Sequence, residues 1–235
     1  MVEYIGQAIT DGFYDPIVII GFPYDEGARK AGSRAGANFG PDSFRRFLKM
    51  ANIGAMDNPE MGVNINEKLK ICDYGNIQIE NCSDLLKLYE KLGTKVGLCI
   101  QRGNIPFVVG GSRDLLQAYG KGDFVCVTPC TDMEPLLADN LCHQTSVHRK
   151  LQETGKVFLF GVDGSRTPKL QALPNTTYIS EIQAKGCKAS FEKLLTEVKE
   201  SGNKFHFCLN LEAITEATGV STNCASGGIS AQEAC

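Results

Sequence analysis

Short apolar runs alternate along this chain with stretches in which apolar residues recur every three or four positions. The runs predict strands at Ile17–Ile20, Leu69–Cys72, Ile105–Val109, Phe124–Val127, Val157–Gly161 and Phe205–Leu211. The periodic stretches predict helices at Pro41–Leu48, from a Ser83 cap through Cys99, at Arg113–Tyr119 and at Phe191–Val198. Strands that alternate with helices are typical of a parallel sheet with crossover helices, so we expect a single α/β domain over residues 1–235.

Length and composition favour a folded chain with a full core. The 235 residues are 43% hydrophobic, and a chain of this size buries roughly 70% of its unfolded surface. The net charge of −3 comes without any block of like charge, so we predict no nucleic-acid partner. Basic pairs such as Arg45–Arg46 are interpreted as solvated helix faces.

The first residues and the cysteines indicate a cytoplasmic protein. No apolar core with a basic flank opens the chain, and no apolar run approaches the ~18 residues that span a bilayer. In a reducing compartment disulfides are rare, so Cys99, Cys126 and Cys208 are interpreted as small buried hydrophobes. The four-residue spacing of Cys126 and Cys130 is only a weak indication of a metal or redox site.

Three polar segments lie at or just beyond the carboxyl ends of predicted strands, where the ligand sites of parallel α/β sheets lie. They are Gly110–Asp114, Thr128–Asp132 and Asn210–Glu212. We therefore expect any functional site to be formed by these segments.

The same segments, with blocks near both ends of the chain, resemble the ureohydrolases, the family of arginase, agmatinase and formiminoglutamase. The matching blocks are Gly21–Gly27, Gly32–Arg34, Gly40–Arg45, Thr218–Ser221 and Gly228–Ala234. In sequence, these blocks most resemble the formiminoglutamase branch and arginase-like parasite proteins. The resemblance implies a three-layer α/β/α fold with a mainly parallel, arginase-like sheet.

Active members of that family hold two manganese ions in Gly-Gly-x-His, Asp-x-His-x-Asp and Asp-x-Asp motifs. Residues two apart at a strand end point the same way, and carboxylates with imidazole suit this metal. A water bridging the ions is the nucleophile, because metal binding lowers its pKa. By resemblance, the corresponding positions here are Arg113, Thr128, Cys130, Asp132, Asn210 and Glu212.

These positions depart from the family's ligand set. Only Asp132 is unchanged, Glu212 keeps the charge on a longer side chain, and Arg113 is a permanent cation that cannot bind metal. Because two of four carboxylates and both histidines are gone, we predict no bound manganese and no other cofactor. We hypothesise that Arg113 pairs with Asp132 or Glu212; the alternative is that it points to solvent.

A new chemistry at these positions would depend on Cys130, the one credible nucleophile. A cysteine mechanism needs a base beside the thiol. His143 and His148 are five apart and His206 begins its strand, so none is an obvious partner. A structural cysteine is therefore the favoured interpretation, and residual single-metal or Cys130-based chemistry stays open.

The resemblance also bears on the ends of the chain and on assembly. Family members continue beyond the Gly228–Ala234 segment through a further helix and two central strands, so we interpret this chain as C-terminally truncated. Trimers or hexamers are usual in the family, which implies a homo-oligomer.

Three functions are compatible with the sequence. The leading one is a non-catalytic ureohydrolase-like protein with a binding, regulatory or structural role. The first alternative is an active metal-dependent hydrolase of C–N bonds in guanidino or formimino substrates. The second is a metal-free small-molecule binder that uses Arg113 to hold a carboxylate.

Overall fold

A computed structural model describes residues 4–51, 62, 70–78, 84–134, 142, 145–154, 156–166, 175–215 and 228–234. Contacts within the chain define two compact units, Met1–Asp25 with Gly36–Ala118 and Glu26–Ala35 with Tyr119–Cys235. Each unit contains a four-stranded parallel sheet, which confirms the mainly parallel α/β fold. A single domain over residues 1–235 stays a prediction.

The sheet of the first unit has the order β1-β3-β2-β4. Its strands are β1 (Thr10–Asp11), β2 (Ile17–Phe22), β3 (Ile71–Asn76) and β4 (Ile105–Gly110). Its helices are α2 (Gly40–Met50) and α3 (Leu85–Gln101), with 3-10 helices at Ile5–Gln7, Ala37–Phe39 and Arg113–Ala118. Strand and helix alternate after β2, as the apolar pattern predicts.

The sheet of the second unit has the order β7-β6-β5-β8. Its strands are β5 (Asp123–Val127), β6 (Val157–Val162), β7 (Thr176–Tyr178) and β8 (Phe205–Leu209). Its helices are α1 (Glu26–Lys30), α4 (Ser146–Thr154), α5 (Ile179–Lys185), α6 (Cys187–Glu200) and α7 (Ala231–Ala234), with 3-10 helices at Gly164–Arg166 and Leu211–Ala213. In the described part of the chain, no helix is long and apolar enough to cross a membrane.

Several boundaries differ from the sequence prediction. The strand expected at Leu69–Cys72 runs instead over Ile71–Asn76, and Leu69 itself lies outside the described residues. Ser83 also lies outside them; the side chain of Asp84 accepts hydrogen bonds from the backbone nitrogens of Leu86 and Lys87 and caps α3. An aspartate is well suited to this position, because its oxygen accepts from free backbone N–H groups and its negative charge complements the helix dipole.

The central strands of the second sheet are buried, whereas its terminal strand β8 is open. Every residue of β5 and β6 is buried, as expected for strands covered on both faces. On the terminal strand β8, Phe205, Phe207 and Leu209 are exposed in alternation with half-buried residues. Val125 and Val127 pair with Phe207 and Leu209 and belong to the core against α5 and α6, so this apolar row continues the core face of the sheet.

An ion-pair network around Arg45 fixes α2 against β3 in the first unit. The Arg45 guanidinium donates to both carboxylate oxygens of Asp73, at 2.6 and 2.9 Å, and also contacts Asn76 Oδ1. The side chains of Arg45 and Asp73 are only 13% and 14% exposed. The interpretation of Arg45 as part of a solvated face is therefore wrong, because its partner comes from a strand that is 28 residues away in the chain.

Candidate functional site

In the second unit, Thr128 and Asn210 occupy the first positions after neighbouring strands. β5 ends at Val127 and β8 at Leu209, and the backbone nitrogen of Asn210 donates to the Val127 carbonyl at 3.0 Å. Asn210 Nδ2 donates to Thr128 Oγ1 at 2.9 Å. Thr128 is 1% exposed and Asn210 8%. The structure therefore brings together one residue from each of two of the polar segments, and they form a neutral hydrogen-bonded pair.

The Thr128 hydroxyl makes two further hydrogen bonds. Oγ1 donates to the Cys130 carbonyl at 3.0 Å and accepts from the Cys130 nitrogen at 3.2 Å. A hydroxyl has one proton and two lone pairs. With Asn210 as the second donor, the hydrogen-bonding capacity of Thr128 is filled by protein groups.

Cys130 is joined in a disulfide bond. The other cysteines within the described residues, among them Cys126 and Cys208, are thiols. The expectation that the cysteines of this chain are reduced is therefore wrong for Cys130, since sequence spacing does not reveal which sulfur atoms meet in space. A sulfur in a disulfide is neither a thiolate nucleophile nor a metal ligand.

Asp132 is buried and has a left-handed backbone. Its φ is 50° and it is 6% exposed. Asp tolerates this conformation better than most residues. His148 N donates to the Asp132 carbonyl at 3.4 Å, and the His148 ring contacts the Glu134 carbonyl at 3.0 Å through Nδ1. The strand alternation that would align Thr128, Cys130 and Asp132 therefore does not extend to the last of them.

Glu212 lies on a 3-10 turn and not on a strand. The strand predicted through Leu211 ends at Leu209, and the backbone nitrogen of Ala213 donates to the Asn210 carbonyl at 2.9 Å. Glu212 is half-buried, whereas Asn210 is buried. Because the chain turns after Asn210, the rule that residues two apart point the same way does not hold for this pair.

Arg113 begins the 3-10 helix Arg113–Ala118 in the first unit and is half-buried. The next residue, Asp114, is 2% exposed and accepts a hydrogen bond of 2.5 Å from the Tyr89 hydroxyl. Burial raises the pKa of Asp114 above its ordinary value. Asp132 and Glu212 belong to the second unit, and an ion pair with Arg113 stays a prediction.

In the part of the chain that the structure describes, no histidine ring is hydrogen-bonded to Thr128 or Asn210. His143 lies outside it. His206 stacks on Tyr119 and Phe124, at ring-centroid distances of 5.2 and 4.9 Å. Burial, followed by the nearby Lys150 ammonium, lowers the pKa of His206. His206 is therefore a neutral member of an aromatic cluster near the start of β8.

These side chains do not fit a manganese pair. Manganese prefers carboxylate, water and imidazole ligands. Thr128 and Asn210 are bonded to each other, and Cys130 is in a disulfide. Among the residues that the structure describes, no group of three His, Cys, Asp or Glu side chains could hold a metal ion.

Comparison with known proteins identifies the family. The family model "Arginase family" matches residues 15–119. A crystal structure of Trypanosoma cruzi formiminoglutamase with manganese is 31% identical and superimposes with a TM-score of 0.82, over 99% of this chain and 84% of that one. The chain belongs to the arginase family. Its likeness to formimidoylglutamase from Bacillus subtilis, at 15% identity and a TM-score of 0.84, extends the arginase-like fold to a distant relative.

Sequence comparison also relates this arginase-family chain to formiminoglutamases. Formimidoylglutamase of Chromobacterium violaceum is 32% identical over 114 residues, which are 48% of this chain and 32% of that protein. The curated relative is thus matched over about a third of its own length. The resemblance noted in the sequence is confirmed for the family and for its formiminoglutamase branch.

Proposed function

We propose that this arginase-family chain is a non-catalytic relative of the formiminoglutamases that has lost the binuclear manganese site. The observation that supports the proposal most directly is the hydrogen bond between Asn210 and Thr128. Active relatives place carboxylates at these two positions, by the correspondence of motifs. An amide and a hydroxyl that satisfy each other leave no negative charge to attract a dication.

The remaining positions support the same conclusion. Arg113 carries a permanent positive charge, and Cys130 is in a disulfide. Asp132 and Glu212 alone offer too little negative charge to balance two divalent ions. A binding, regulatory or structural role, exerted as a homo-oligomer in the cytoplasm, is the function that we assign to the retained scaffold.

Replacing Asn210 by aspartate tests whether this site favours a neutral pair. The new carboxylate would face Thr128 Oγ1, whose proton is already donated to the Cys130 carbonyl. We expect the free energy of unfolding at neutral pH to fall by about 1–3 kcal/mol, because a buried acceptor loses its donor. Urea denaturation at neutral and acidic pH measures it. The loss should shrink in acid, where the protonated acid donates a hydrogen bond again.

Asn175→Asp is the matched control for this substitution. Asn175 is exposed, so the same chemical change should alter stability by less than about 0.5 kcal/mol. Manganese distinguishes this proposal from that of an active hydrolase. We expect no manganese-dependent rise in the melting temperature of the wild type or of Asn210→Asp; a rise in the wild type would contradict the proposal.

A further inference from the structure

Two thiols occupy paired positions on neighbouring strands of the second unit. Cys126 on β5 and Cys208 on β8 are partners in the parallel ladder. Side chains of paired residues point to the same face of a sheet, and neighbouring strands lie about 4.8 Å apart. This separation falls within the range of Cα distances, about 4.4–6.8 Å, that disulfide bonds span.

The two thiols differ in exposure. Cys126 is 3% exposed on an inner strand, whereas Cys208 is half-buried on the terminal strand β8. A small oxidant therefore reaches Cys208 first, and the second thiol stands beside it. An accessible thiol next to a resolving thiol is the arrangement that favours reversible oxidation.

We propose that Cys126 and Cys208 form a redox-active dithiol that closes to a disulfide when the protein meets hydrogen peroxide. The Cys208 thiolate attacks one peroxide oxygen and breaks the O–O bond, which yields a sulfenic acid and water. The Cys126 thiolate then attacks the sulfenic sulfur, an S–S bond forms, and the S–O bond breaks with loss of a second water. Two electrons pass from the thiols to the peroxide, and both thiol protons leave in the water formed.

Closure would act on the strands that carry the candidate functional site. Cys126 and Cys208 each precede by two residues the members of the Thr128–Asn210 pair. A covalent link at this level would join β5 to β8 immediately before that pair. Closure requires no metal at that site, because the register of the two strands alone places the thiols side by side.

The test treats the full chain with hydrogen peroxide, blocks the remaining thiols by alkylation and maps the peptides by mass spectrometry. We expect a linked peptide pair containing Cys126 and Cys208, lighter than the separate peptides by two hydrogens, which a reductant separates. Cys208→Ser should abolish the link. Cys187→Ser, which removes another half-buried thiol of the same unit, should leave it unchanged.

A second measurement on the wild type does not depend on the folding of a variant. A trivalent phenylarsenical bridges only thiols that lie close together, so on reduced protein it should protect Cys126 and Cys208 together from alkylation. Sulfinic acid on Cys208 with an unmodified Cys126 would overturn the proposal. Linkage of Cys208 to any other cysteine, or the absence of joint protection, would do the same.

Discussion

Replacing Arg45 by methionine is expected to lower the free energy of unfolding by about 3 kcal/mol, the usual cost of breaking a buried ion pair. Methionine keeps the apolar stem but leaves the Asp73 carboxylate without the two guanidinium hydrogen bonds. The Asp73 carboxylate would keep the hydrogen bond that it accepts from the Gly75 nitrogen at 2.8 Å. Urea denaturation followed by circular dichroism measures the loss.

Arg46→Met is the matched control for this prediction. Arg46 is the next residue of the same helix and is exposed, so its replacement should change stability by less than about 0.5 kcal/mol. Combining Arg45→Met with Asp73→Asn should restore part of the lost stability, because the uncompensated charge is removed. Equal effects of Arg45→Met and Arg46→Met would show that the network does not hold α2 in place.

Replacing Gly93 by alanine is expected to destabilise the chain by about 2 kcal/mol, although alanine is the better helix former. A Cβ at Gly93 in α3 would overlap the carbonyl oxygen of Ala118 and lie 3.4 Å from its carbonyl carbon. Both are backbone atoms and have little room to move. Gly93 thus permits the close approach of α3 to the 3-10 helix Arg113–Ala118.

Gly97, one helical turn further along α3, provides the control. A Cβ at that position meets no atom within 4 Å. Gly97→Ala should therefore raise the free energy of unfolding by about 0.5–1 kcal/mol through helix propensity alone. If Gly93→Ala stabilised the chain by a similar amount, the tight contact between α3 and Ala118 would be refuted. Thermal and urea unfolding of the two variants decide the question.

The sequence predicts the family and six of the eight strands that the structure describes, because both depend on local patterns; the short strands β1 and β7 are not predicted. Val125 and Phe160 lie in apolar runs whose burial follows from their neighbours in the chain. The Gly21–Gly27 block, which begins in β2 and ends in α1, likewise carries its resemblance in consecutive residues. Such features need no knowledge of distant contacts.

Arg45 and Thr128 have partners that lie far from them in the chain. Arg45 appeared solvated because Asp73 is 28 residues away. The disulfide at Cys130 and the bond between Thr128 and Asn210, 82 residues apart, were equally invisible. The strand predicted through Leu211 ends at Leu209, because the chain turns locally after Asn210. For Arg45 and Thr128, tertiary contacts that local periodicity does not encode decide the outcome.

The metal content of the purified chain tests the central claim most directly. After incubation with excess manganese and removal of unbound ions, elemental analysis should find well below one manganese ion per chain. The same sample should release neither urea from arginine nor formamide from formiminoglutamate. A stoichiometric pair of manganese ions per chain would contradict the loss of the metal site, and hydrolysis of either substrate would contradict the assignment as a non-catalytic member of the arginase family.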